Sequence, residues 1–144
     1  MDKRAWACAG VVAAVALALG FILHGALLRG DYLALQHLFR SQAEANAKLG
    51  WIALAYACIG IAMTWLYVRL PPPARSRRGH GLRFGLACAL LSFVPWHLLA
   101  YAGQPLPFAL TARQLLGDTV AMVLLGMLLA WLDPSRTALR EPPQ

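Results

Sequence analysis

The sequence predicts an all-α integral membrane protein, a bundle of four transmembrane helices joined by short connections. Three observations lead there. Apolar stretches at 6–28, 49–70, 82–102 and 108–132 occupy most of the 144 residues, and each has roughly the 20 residues that carry a helix across a bilayer. Only 13% of residues are charged, against about 25% in a soluble domain. Those charges gather at the ends of the stretches, and no polar segment is long enough to fold apart, so 1–144 reads as one domain.

The formal net charge of +7 raises nucleic-acid binding as a role, but the placement of the charge argues against it. Lys3, Arg4, Arg69, Arg75, Arg77, Arg78, Arg83, Arg136 and Arg140 flank one side of the spans, and only Arg29, Arg40, Lys48 and Arg113 the other. That asymmetry is the positive-inside pattern. It predicts an N-in/C-in protein of a bacterial-type inner (plasma) membrane, with the basic loop 71–81 and the tail 133–144 in the cytoplasm.

The first span begins after a short charged start and runs without a polar break to Leu28. It is too long for a signal-peptide core and is read as an uncleaved helix. The external connection that follows carries apolar residues on one side over 32–39, as a short amphipathic helix in the headgroup plane would. Ser41 and Glu44 have capping-box spacing, which suggests that the second helix begins near 41, ahead of its apolar part. Pro71, Pro72 and Pro73 stop that helix. The third span contains Pro95, where a kink is expected, and the fourth ends at Asp133-Pro134. Gly60 and Trp65 share their spacing with Gly126 and Trp131, and His24 mirrors His97, hints of a parallel duplication of a two-helix hairpin.

Chemistry has to come from the polar residues inside the spans. At about 1.5 Å of rise per residue, His24, Tyr56, His97 and Asp118 lie at one depth in the outer half of the membrane, on four different helices. Ionisable groups in lipid are costly and face the bundle interior or an aqueous cavity. Helical spacing adds Tyr101 to the His97 face and Gln114 to the Asp118 face. Arg113 and His37 would stand at the rim of any pocket there. Without a bonding partner, Asp118 would have to be protonated.

The bland alternative is that these side chains are glue between helices. Three functional readings compete with it. The leading one is an accessory or assembly subunit of a larger membrane complex, with the polar layer relaying protons or holding a metal or a small amphipathic ligand. The second is a redox protein that binds haem through His24 and His97, or a quinone. The third is a small transporter working as an oligomer. Cys8, Cys58 and Cys88 have no metal-ligand or disulfide spacing. Thr64 and Thr119 read as hydroxyls bonded back to their own helix. With no placed nucleophile and no phosphate-cradling loop, an enzyme is not expected.

Overall fold

The computed structural model describes residues 1–71 and 76–134. Among them there is no strand, and four helical stretches are long and apolar enough to cross a membrane: Lys3–Leu27, Leu49–Tyr67, Arg77–Gly103 and Phe108–Leu132. The residues of the basic loop at 72–75 and of the tail from 135 onward lie outside the described residues.

The first span starts as α1 (Lys3–Gly20), capped by Asp2, whose side chain accepts from Ala5 N–H. It then loosens into a π-helical segment, Phe21–Leu27, marked by the Leu28 N–H to Leu23 carbonyl bond. Such segments add a residue to a turn and rotate the side chains that follow. α2 (Arg29–Ala34) is followed by a break at Leu35 and a single 3₁₀ turn, Gln36–Leu38. The expected amphipathic helix over 32–39 is therefore two short pieces that start earlier in the chain. Tyr32 accounts for the difference, because it turns into the bundle instead of lying with Leu33, which is 57% exposed.

The capping box at Ser41 and Glu44 is formed, and it lowers the Glu44 carboxyl below its ordinary range through bonds from the Ser41 side chain and backbone. It caps only α3 (Gln42–Asn46). The spanning helix α4 (Leu49–Tyr67) begins after a turn at Ala47 and Lys48. The third span is broken into α5 (Arg77–Leu91) and α6 (Phe93–Gly103) at Ser92. The break lies one turn ahead of Pro95, whose ring crowds the carbonyl four residues earlier, that of Leu91. α7 (Phe108–Leu132) is unbroken and ends at Asp133 in the left-handed region, φ 48°.

Each hairpin closes through glycine. A side chain on Gly60 of α4 would meet the Ala9 carbonyl at 2.6 Å and Ala13 at 2.7 Å. Gly126 of α7 takes the equivalent place in the second hairpin, against Gly81 and Gly85 of α5. Ala53 and Ala57 continue the row of small residues from Gly60 along α4, but the close contact is made at the Gly60 end, since Ala53 faces outward. The two hairpins share a core in which Val12, Met63, Phe84, Met122, Leu125 and Leu129 meet. Tyr67 packs edge-on against Phe84 and His80. At the same end Arg4 donates to the Leu132 carbonyl and Arg77 pairs with Asp133 at 2.7 Å, which joins the ends of the first, third and fourth spans.

Large apolar side chains face outward, among them Leu91 at 81% and Trp131 at 80% exposure. A water-soluble monomer rarely exposes apolar patches of this extent, whereas hydrocarbon accepts them. Replacing Gly60 with Leu should force the first hairpin apart and cost about 1–3 kcal/mol. Gly10, with nothing within 4 Å of an added Cβ, should tolerate Ala with no loss and a gain of up to about 1 kcal/mol from helix propensity. Unfolding midpoints of the two variants in mixed micelles check this contrast.

Candidate functional site

The centre of the site is Asp118, on the inward face of α7 and only 5% exposed. His24 Nε2 lies 3.2 Å from its Oδ1 and His97 Nε2 lies 2.6 Å from its Oδ2. One carboxylate thus holds the imidazoles of two other spans, one on each oxygen. His24 comes from the π-helical segment and His97 from just beyond the break at Ser92, so an irregular backbone presents both rings. Phe93 stacks on the His97 ring with centroids 6.3 Å apart.

The network extends toward the 29–48 connection. His24 Nδ1 is 2.8 Å from the Tyr32 hydroxyl, which also accepts from Gln114 Nε2 at 2.9 Å. Burial raises the Tyr32 phenol above its ordinary range, against the opposing effect of the Gln114 bond, so it keeps its proton. Beside Tyr32, Asp31 receives two bonds from Arg113, at 2.9 and 2.8 Å. The pair ties α2 to α7 beside the site.

The proton inventory of this network closes. With Asp118 ionised and both imidazoles neutral, each histidine donates from Nε2 to one carboxylate oxygen. Tyr32 then donates to His24 Nδ1, and Gln114 donates to Tyr32. Every contact has one donor and one acceptor, an assignment of tautomers that follows from the bonding pattern. A proton added at His24 Nδ1 turns that atom into a donor, and the Tyr32 hydrogen must turn away. Protonation at His24 therefore changes the bonding of its neighbour Tyr32.

The site residues named from sequence are not all brought together. His24, His97, Asp118 and Gln114 share the network. Tyr56 reaches the edge of the same region without a hydrogen bond to it. Tyr101 does not join: one turn beyond His97 and near the end of α6, it is 43% exposed and packs on Phe108. Arg113 is a rim residue, held by Asp31. His37 is exposed on its 3₁₀ turn and makes no contact with the network. Thr119 bonds back to the Leu115 carbonyl, but the fully buried Thr64 hydroxyl has no partner among the described residues, contrary to expectation. Sequence reasoning missed Tyr32, Asp31 and Gly20. The uncompensated Arg113 was the one signal that pointed toward Asp31.

Cofactor chemistry is constrained by the same geometry. Both Nε2 atoms are directed at one carboxylate, which stands where an iron between two axial imidazoles would need open space, so the arrangement does not suit haem. Among the described residues no group of three His, Cys, Asp or Glu side chains is disposed to hold a metal ion. The void beside Asp118 has room for the centre of about one water molecule, ≈ 10 Å³, whereas organic ligands occupy pockets of about 300–1,000 Å³. No known protein family, curated protein or solved structure matches this chain.

Asp118→Leu leaves two imidazole N–H groups without an acceptor and should cost about 1–3 kcal/mol, the low end being favoured because unfolded helices in a membrane find other partners. Arg113→Ala removes an ion pair whose arginine is 60% exposed and should cost less than about 1 kcal/mol. Denaturation of both variants in the same micelles tests the ranking, and the reverse order would show that Asp118 is not the keystone.

Proposed function

We propose that this chain is a small accessory or assembly subunit of the membrane whose His24–Asp118–His97 centre binds and releases a proton in the outer half of the bilayer. The observation that carries the reading is the single buried carboxylate held between imidazoles from two other spans. Histidine is the side chain whose ordinary titration falls nearest neutral pH. Here its charge state is tied to a carboxylate, to Tyr32 and to the α2 segment.

The surroundings favour a proton over a larger ligand. The space beside Asp118 suits a water molecule, and the layer beneath it is Val12, Met63, Met122, Leu125 and Leu129, side chains with no means of passing a proton. A proton reaching the centre from the side of the 29–48 connection would be held there. This supports a sensing or coupling role over conduction. The outward apolar faces give a partner helix as much surface as lipid, in keeping with an accessory role. The distribution of Lys and Arg favours cytoplasmic termini, in a bacterial-type plasma membrane. The matched glycine seats of the two hairpins favour their origin as parallel repeats.

In ¹⁵N-histidine spectra recorded against pH in bilayers, His24 and His97 should move through one shared transition. In Asp118→Asn that coupling should be lost. Two histidines that titrate independently, with no response to Asp118→Asn, would overturn the proton-centre reading. A reporter fused after Gln144 should report from the cytoplasm, and a signal from the opposite side reverses the orientation.

A further inference from the structure

Tyr56 stands apart from the network, and its surroundings explain what it does. Its ring comes from α4, the one span that contributes no hydrogen bond to the Asp118 centre. The hydroxyl lies on the backbone of Gly20, so closely that a Cβ at position 20 would overlap both the hydroxyl and the ring carbon that bears it. Glycine at position 20 leaves the space that the Tyr56 hydroxyl occupies. Yet the hydroxyl has no hydrogen-bond partner among the described residues. The residue is half-buried, and a phenol hydroxyl turned toward an apolar bundle is favoured by a hydrogen-bonding partner. Such a group calls for a partner that is not a side chain.

The void supplies the place. Tyr56 and Asp118 both line it, among Ala16, Gly20, Ile59 and Phe93, and its ≈ 10 Å³ is about the least that admits one water molecule. Tyr56 and Asp118 are the only polar side chains on its wall. Each Asp118 oxygen has accepted one bond from a histidine and retains a lone pair.

We propose that this void binds one internal water molecule, which accepts a hydrogen bond from the Tyr56 hydroxyl and donates one to the Asp118 carboxylate, and that Gly20 keeps the site open. The water carries the network across to α4, so that all four spans are joined at one level. For its functional meaning the proposal rests on the proton-centre reading, since a water on Asp118 is a further place for charge to spread when the histidines change state. Tyr56 is then a positioning residue that acts on Asp118 through the water.

Infrared absorption of the full-length protein in bilayers, in H₂¹⁶O and H₂¹⁸O at fixed pH, reads the water directly. The wild type should show an O–H stretching band of an isolated internal water that moves with the oxygen isotope. Tyr56→Phe keeps the ring and should abolish or displace that band. No isotope-sensitive band in the wild type, or a band unchanged in Tyr56→Phe, would overturn the proposal and mark the void as empty. The pH-difference spectrum of the same samples reads the imidazole and carboxylate bands separately. Failure of the proton centre would appear there while leaving the isotope result intact.

Discussion

A carboxylate inside an apolar bundle is the constraint from which the rest of this structure follows. Removing an ionised group from water costs several kcal/mol even after relaxation, and a single partner seldom restores it. Asp118 is met by two imidazoles, one on each oxygen, and both must arrive at one depth from different helices. The π-helical segment and the break at Ser92 solve that geometric problem. A regular helix from Lys3 to Leu27 would aim residue 24 in another direction. The distortions are thus coupled to the charge they serve, in keeping with the concentration of π segments at functional positions.

Glycine makes the arrangement possible at the other end. The apolar halves of both hairpins are drawn together by Gly60 and by the Gly81, Gly85 and Gly126 cluster, where backbone meets backbone. Without a hydrophobic drive between helices in lipid, such close packing and a few polar contacts are what hold a membrane bundle. The two ends divide the work. Close packing fixes the basic end, while hydrogen bonds and the Arg113–Asp31 pair organise the other.

The four spans were legible because bilayer thickness imposes a length and a polarity that no other environment demands. The shared depth of His24, His97 and Asp118 was legible from residue counting alone. Facing was less so. Counting at helical spacing carried Gln114 and Asp118 correctly along α7, where both are buried, and misplaced Tyr101, which lies one turn past His97 near the end of α6 and packs on Phe108. Tyr32 was hidden for another reason. An aromatic residue in an amphipathic stretch satisfies the pattern of an interfacial helix, and only tertiary contact reveals that its hydroxyl faces inward. Gly20 is one small residue in an Ala- and Leu-rich helix, and its role depends wholly on Tyr56, which is distant in sequence.

The contrast between the two halves bears on what kind of device this is. Conduction needs polar groups or water at successive depths on both sides of a binding site. Here the chain of donors runs from Gln114 and Tyr32 through His24 to Asp118, and the shared core is mostly Met, Leu, Val, Ala and Phe, with Cys88 and Tyr67 its only buried members whose side chains can donate a hydrogen bond. The Thr64 hydroxyl is fully buried and has no hydrogen-bond partner among the described residues, too isolated to begin a second path. In the proposed proton-centre reading, a proton arriving at His24 would change the bonding of Tyr32 on α2 and go no further. On that reading its effect would pass to α2 and to the helices that hold the two histidines. Those are surfaces that a neighbouring membrane subunit can read, and the route by which one buried carboxylate would give a small bundle an output.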